Sequence, residues 1–377
     1  MPSSFNRQYL PEVDQLRAFA ALLVFFYHGL NEPHVYGIEY DPSHHPFNPL
    51  LAFIEEGHSG VGLFIVLSGF ILSLGAVGNR INYKSFLIAR ILRIYPMLLV
   101  YLVVAMHVSS GNILNVLTSL LPLNSSGGLG SSFAAMFWAV AIELQCYLIF
   151  PFLIAFSNER GSRFLVQLIA LGLVLRLLAV LAEGANPREI SYWTVIGRID
   201  QFCIGMIAAR LFVSWNLAAL RPVWLLPSTL AVAFILWTFH RLGGWTAVSL
   251  WKIAWPTAEG LMWAFFIVTY IAAGRVVPSM LGRIGAKLGE ISYSIYLVHF
   301  SVIAAIAKNS LSIRASGNDY YDALVTTLVL ALPVTIAIAA LTYHTVELPF
   351  LQMRPKYIVR HSALPVRPTI ETPSAES

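Results

Sequence analysis

The stretch GVGLFIVLSGFILSLGAV, residues 60–77, runs for eighteen positions without a charged side chain. As an α-helix rising about 1.5 Å per residue it is about 27 Å long, close to the ~30 Å hydrocarbon thickness of a bilayer. Similar apolar runs, bounded by charges, Gly or Pro, lie at residues 13–30, 91–108, 133–156, 164–182, 193–213, 223–239, 253–273, 291–307 and 323–343. With the first stretch they make ten candidate spans. Apolar residues are 57% of the chain and charged ones 11%, against roughly 25% charged in a soluble domain. The expected fold is therefore an all-α, polytopic membrane bundle of about ten transmembrane helices. Residues 1–360 form one membrane domain, and the Pro-, Ser- and Thr-rich residues 361–377 form a disordered cytoplasmic tail.

Charge distribution sets the orientation. The formal net charge is +5, but Lys and Arg are scattered singly between apolar runs and form no patch for nucleic acid. With the N-terminus inside, seventeen of the 24 basic residues fall in cytoplasmic segments and six outside, leaving Arg176 within a span. Both termini are therefore expected in the cytoplasm, and the chain in a cytoplasmic (inner) membrane. The first run is not a signal peptide, because the chain continues HGLNEP (28–33) with no small-x-small cleavage site. The outer loop 31–57 has no Lys or Arg and carries Glu32, His34, Glu39, Asp41, His44, His45, Glu55 and Glu56, an acidic, His-rich rim. Cys146 and Cys203 lack metal-ligand spacing, and no metal site is expected.

A titratable side chain inside a span costs several kcal/mol unless it faces a partner or a cavity, so each marks a candidate site. Arg17 and His28, eleven positions apart, return to nearly the same helix face about 16 Å apart along the axis. Such a pair offers a cation for an anionic group at the inner surface and an imidazole where a proton must move. The plain alternative is a snorkelling Arg and a His bonded to a neighbouring helix. Arg90 and Arg93 project from one face at the start of the third run, where guanidinium forks suit phosphate or simply report topology. Glu143, ten residues into an apolar run, needs a partner, and His28 or an arginine is the expected one. Arg198 and Asp200 enter the sixth run from the outer side, either pairing structurally or lining an acceptor cavity. Arg176 reads as snorkelling to the outer face. The Gly and Ser cluster around Gly60, Gly62, Ser68 and Gly69 permits close helix approach and also leaves room for a ligand.

Seven motifs stand in order: DQLRA (14–18) through His28, GVGLFIVLSGF (60–70), RILRIYP (90–96), WAVAIELQCY (138–147), RIDQF (198–202), LGEISYSIYLVH (288–299) and ELPF (347–350). Together they resemble the acyltransferase 3 family, integral-membrane enzymes that acylate surface polysaccharides, lipopolysaccharide O-antigen, exopolysaccharide and related acceptors. The resemblance implies acyl-CoA, commonly acetyl-CoA, as a co-substrate from the cytoplasm, no permanently bound cofactor, and a carbohydrate or glycolipid acceptor. It also implies that Arg17, Arg90 and Arg93 hold the CoA phosphates and that His28 sits at the thioester. In this reading His28 is the general base and Glu143 orients it, while Ser68 or Tyr147 donates to the oxyanion and Arg198 and Asp200 meet the acceptor. Direct transfer and an acyl-His28 intermediate both remain open. Many relatives carry Asp where this chain has Gly62, so any acidic role there is filled elsewhere or is absent. The rival readings are a proton-coupled secondary transporter, against which no internal repeat is seen, and a non-catalytic subunit of a polysaccharide export system.

Overall fold

The structure, a computed structural model, describes residues 9–30, 36, 52–109, 137–274 and 278–359. The tail expected to be disordered and most of the acidic outer loop lie outside these residues. The helices are α1 Pro11–Leu30, α2 Ala52–Glu55, α3 Gly60–Ala76, α4 Tyr83–Ser109, α5 Phe137–Arg160 and α6 Ser162–Glu183. They continue with α7 Pro187–Trp193, α8 Val195–Ser214, α9 Leu225–Arg241, α10 Trp255–Ala272, α11 Ser279–Glu290 and α12 Ser292–Lys308. The last long element joins α13 Asp319–Thr326, α14 Leu332–Thr342 and α15 Leu348–Gln352 through π-helical turns at Thr327–Ala331 and Tyr343–Glu347. One two-residue ribbon pairs β1 Arg80–Ile81 antiparallel with β2 Ile358–Val359.

A helix occupies each of the ten apolar runs. Among the described residues, six helices are long and apolar enough to cross a membrane, and seven if α11 and α12, bent by 72° at their junction, count as one span. Helices α1, α8 and α10 run 20, 20 and 18 residues but carry charged side chains within that length. The polarity of the fold is inverted relative to a soluble protein. Val103, Phe152 and Leu181 are 64%, 57% and 66% exposed, whereas Arg176 and Arg198 are 0% and 1% exposed. Apolar side chains face outward where lipid supplies the solvent, and charges turn inward where other helices satisfy them. The chain is thus a multi-pass membrane protein.

Close crossing of α3 and α8 forms the centre of the bundle. A Cβ on Gly69 would lie 2.2 Å from the Phe202 carbonyl oxygen, and one on Gly205 only 2.0 Å from that of Val66. Both glycines are therefore required for the backbones to meet, the small-residue packing that membrane helices use. Around this crossing, Gln15 of α1 ties α11 and α10 together. Its Nε2 donates to the Gly282 carbonyl (3.1 Å), and its Oε1 accepts from Tyr270 (2.8 Å). At the same end, Asn82 N–H donates to the Tyr357 carbonyl (2.8 Å), and the ribbon straps the segment after α15 onto the start of α4.

Candidate active site

His28 lies near the C-terminal end of α1, where a side chain directed at α12 meets His299. His28 Nδ1 is 3.0 Å from the Val24 carbonyl oxygen and 3.1 Å from His299 Nε2. His299 is buried at 1% exposure, and its Nδ1 faces the carbonyl oxygens of Ile295 (3.1 Å) and Tyr296 (2.7 Å). A carbonyl only accepts, so the neutral His299 ring carries its proton on Nδ1 and leaves Nε2 as an acceptor. The proton between the two rings therefore sits on His28 Nδ1. That tautomer leaves a lone pair on His28 Nε2, the form a general base requires.

The His28 ring lines a cavity of about 280 Å³, together with Val24, Tyr27, His58, Tyr296 and a wall formed by Trp138, Tyr192, Trp193 and Trp245. The aromatic rings of this wall pack on one another, with Trp138 tilted by 42° against Tyr192 at a centroid distance of 4.7 Å and Tyr192 edge to face with Trp245 at 4.3 Å. Apolar walls with a few polar groups are the usual character of a small-molecule site. His299 ends the sequence motif at 288–299, but nothing in the sequence pairs it with His28. The two are 271 positions apart, and no periodicity connects them.

Glu143 does not orient His28. Its Oε1 accepts from Ser68 Oγ at 2.8 Å and, through a short bond, from the Tyr147 hydroxyl. The structure thus joins three of the expected site residues, Glu143, Ser68 and Tyr147, into one cluster of their own. It also corrects the oxyanion role assigned to Ser68 and Tyr147, because both hydroxyl protons are committed to a carboxylate. The side chain that His28 hydrogen-bonds to is His299.

Tyr147 links this cluster to the basic end of the bundle. The Arg90 guanidinium lies 5.5 Å from the ring centroids of Phe86 and Tyr147 and 5.6 Å from that of Tyr357, and its buried Nε has no hydrogen-bond partner among the described residues. Phe86 is one turn before Arg90 on α4, while the strap supplies Tyr357. The same strap brings Arg354 beside Arg90 and Arg93. Burial, then repulsion from Arg93 and Arg90, pushes the Arg354 guanidinium down to about 10. Because guanidinium gives up its proton with difficulty, such crowding is relieved by an anion. None of the three arginines makes an ion pair with a described carboxylate. Arg17, at the same end of α1, is instead paired with Asp14 at 3.4 Å.

The two residues expected to meet an acceptor separate. Arg198 lies beside the cavity wall with its guanidinium 4.0 Å over the Tyr192 ring, and it lines a small adjoining cavity with His58, Arg188, Trp245 and Lys252. It is held by Glu259 Oε2 at 3.1 Å and donates to the Tyr192 carbonyl at 3.1 Å. Asp200 does not reach this space. It is fully buried against Arg176 at 2.9 Å and accepts from Thr257 at 2.5 Å. Arg176 accordingly does not snorkel but closes a structural ion pair. Gly62 has a structural explanation too: a Cβ there would meet the Glu259 carboxyl at 2.8 Å and Gln201 Nε2 at 3.0 Å. The space beside residue 62 is filled by a carboxylate from α10, which also accepts from Ser59 (2.5 Å) and Gln201 (2.6 Å).

Lining the same cavity is His58, which sequence reasoning did not single out because it stands at the boundary of a loop and an apolar run. Its Nε2 is 2.9 Å from Glu56 Oε2, and Glu56 Oε1 is 3.0 Å from His240 Nδ1. Burial would raise the Glu56 carboxyl, but the hydrogen bonds of His240 and His58 outweigh it and hold the group below its ordinary range. Nearby Lys252 is buried under Phe239 and Trp251, with Nζ 4.0 and 4.7 Å from their ring centroids, and desolvation lowers its ammonium to about 8.

Comparison with known proteins agrees with this geometry. The acyltransferase 3 family model, described as an acyltransferase domain, matches residues 10–344. Acetyltransferase ORF330 of Acidianus two-tailed virus, a provisional name, is 25% identical over 306 residues, covering 79% of this chain and 84% of its own. The provisionally named O-acetyltransferase SACOL0978 of Staphylococcus aureus strain COL is 25% identical over 415 residues, 97% of this chain. The provisionally named peptidoglycan O-acetyltransferase YrhL of Bacillus subtilis strain 168 is 28% identical over 388 residues, 91% of this chain. The chain spans only 62% and 55% of the length of these two bacterial relatives. No solved structure matches the chain. A family match over nearly the whole chain, on a bundle with a histidine at an internal cavity, means that the chain belongs to the acyltransferase 3 family and is a membrane-bound O-acyltransferase.

Proposed function

We propose that the protein transfers an acetyl group from cytoplasmic acetyl-CoA to a hydroxyl of a carbohydrate on the opposite side of the membrane. The observation that carries this reading is the His28 tautomer, held by His299 so that Nε2 is a base at a cavity walled by Trp and Tyr. The basic end of the bundle, with Arg90, Arg93 and Arg354 crowded together, faces the cytoplasm in the orientation favoured by the Lys/Arg bias. It receives the phosphates of the donor, and the thioester reaches the cavity past Tyr147 and Tyr296. His28 Nε2 takes the proton of the acceptor hydroxyl as its oxygen attacks the thioester carbonyl. The tetrahedral intermediate collapses, the C–S bond breaks, and the thiolate takes the proton back from His28. During the step the imidazolium keeps its Nδ1–H bonded to His299 Nε2, which fixes the ring and spreads its charge. Glu143, with Ser68 and Tyr147, supports the passage between the arginines and the cavity. The peptidoglycan named for the Bacillus relative makes that polymer, or its precursor, the first acceptor to try.

The test is incubation of the purified protein in nanodiscs with labelled acetyl-CoA and soluble peptidoglycan fragments. Label is expected on the sugar. In His28→Ala the rate is expected to fall about 10²- to 10⁴-fold, the usual contribution of a positioned base. An undiminished rate removes His28 from the chemistry.

A further inference from the structure

One buried polar atom at the cavity has no partner among the described residues. His58 is 4% exposed, and its Nδ1 makes no hydrogen bond among the described residues. Its other nitrogen faces Glu56 at 2.9 Å, and a carboxylate accepts, so Nε2 is the donor. In the uncharged ring Nδ1 then carries a lone pair. Glu56, gripped on its other oxygen by His240 at 3.0 Å, fixes the ring in that tautomer. His58 borders the same cavity as His28. The Tyr27 ring stands between them, with centroids 5.2 Å from His28 and 5.3 Å from His58. The rest of the His58 environment is aromatic: Tyr192, Phe239 and Trp245 lie 5.6, 5.5 and 5.2 Å away, centroid to centroid.

A buried acceptor without a partner is uncommon, and at the edge of a cavity it is satisfied by what enters. Flat indole and phenol faces pack against the C–H faces of a pyranose ring, while two imidazoles at separate points of the wall each require a hydroxyl.

We infer that His58 is an acceptor-binding residue whose Nδ1 takes a hydrogen bond from a second hydroxyl of the sugar that His28 deprotonates, with Glu56 as its positioning residue. The inference rests on the proposed acyl transfer and deepens it. The cavity then selects acceptors that carry several hydroxyls and rejects simple alcohols.

The two nitrogens can be mimicked separately, because an Asn side chain places an oxygen near the Nδ1 position and a Gln side chain reaches the Nε2 position. His58→Gln keeps the bond to Glu56 and loses the acceptor at the Nδ1 position, whereas His58→Asn does the reverse. Binding of soluble peptidoglycan fragments to nanodisc-held protein is read by quenching of the cavity tryptophans, alongside a thermal melt of each variant. His58→Gln is expected to weaken fragment binding about tenfold, one hydrogen bond's worth, and His58→Asn less than about threefold. The melts should rank the other way, with His58→Asn the less stable. A purely structural His58 makes binding follow the melts, and equal affinities in both variants, or no quenching in the wild type, equally overturn the inference. Failure of the catalytic reading is separate: the wild type would bind fragments yet move no label from acetyl-CoA.

Discussion

At the residue scale the account turns on which atom of His28 holds a proton. In the proposed chemistry the Nδ1–H to His299 Nε2 bond, 3.1 Å long, makes His299 a positioning residue whose acceptor nitrogen leaves His28 Nε2 free to act as the base. His299→Ala is expected to reduce turnover roughly tenfold to a hundredfold, since a small misplacement of a catalytic group costs that much. His299→Gln, whose amide oxygen accepts at the Nε2 position, should recover most of it with little change in KM for acetyl-CoA. Equal loss in both variants would mean that packing, and not the hydrogen bond, is what matters. Lys252 supplies a second prediction, about pH. Its ammonium, lowered to about 8 by burial, loses its proton in the folded chain while the unfolded chain keeps it up to the ordinary lysine range. Between those values the unfolded state binds more protons, so stability rises with pH across the window. Thermal melts at pH 7.5 and 9.5 should show this rise, and Lys252→Met should flatten it.

At the element scale, helix positions were legible in the sequence, because hydropathy is local and each of the ten apolar runs is a helix. Pairings between helices were not. Asp200 was correctly flagged as costly inside a span, yet its partner Arg176, 24 positions away on α6, turns it into a structural pair and not an acceptor contact. Glu143 likewise found Ser68 and Tyr147 in place of His28. These outcomes depend on helix rotation and depth, which spacing along one helix does not encode. The Gly and Ser cluster was readable in kind, since Gly69 and its counterpart Gly205 let α3 and α8 touch. Gly205→Val puts a branched side chain where a Cβ already lies 2.0 Å from the Val66 oxygen. The helices must then separate, and folded protein recovered after detergent extraction is expected to fall sharply. Normal recovery with an unchanged melting temperature would show that the crossing tolerates side chains.

At the scale of the whole molecule, a crowded basic end and an aromatic end stand on either side of one internal imidazole pair. Asp14 of α1, Arg93 of α4 and Glu290 of α11 all lie within electrostatic reach of Tyr343, so the first and last described helices return to the basic end. Fold class was visible in the residues alone, and so was His28 as a titratable group inside a span. The separation of the basic cluster from the aromatic wall emerges only when distant segments are packed together, as when the strap carries Arg354 and Tyr357 to Arg90. The most direct measurement is therefore a sided one. Wild-type protein and His28→Ala are reconstituted in liposomes of known protein orientation, with labelled acetyl-CoA on the side of the basic end and peptidoglycan fragments on the other. The account predicts labelled sugar across the membrane with wild type and at least about a hundredfold less with His28→Ala. Label on the sugar only when both substrates share one side, or equal product from both proteins, would contradict it.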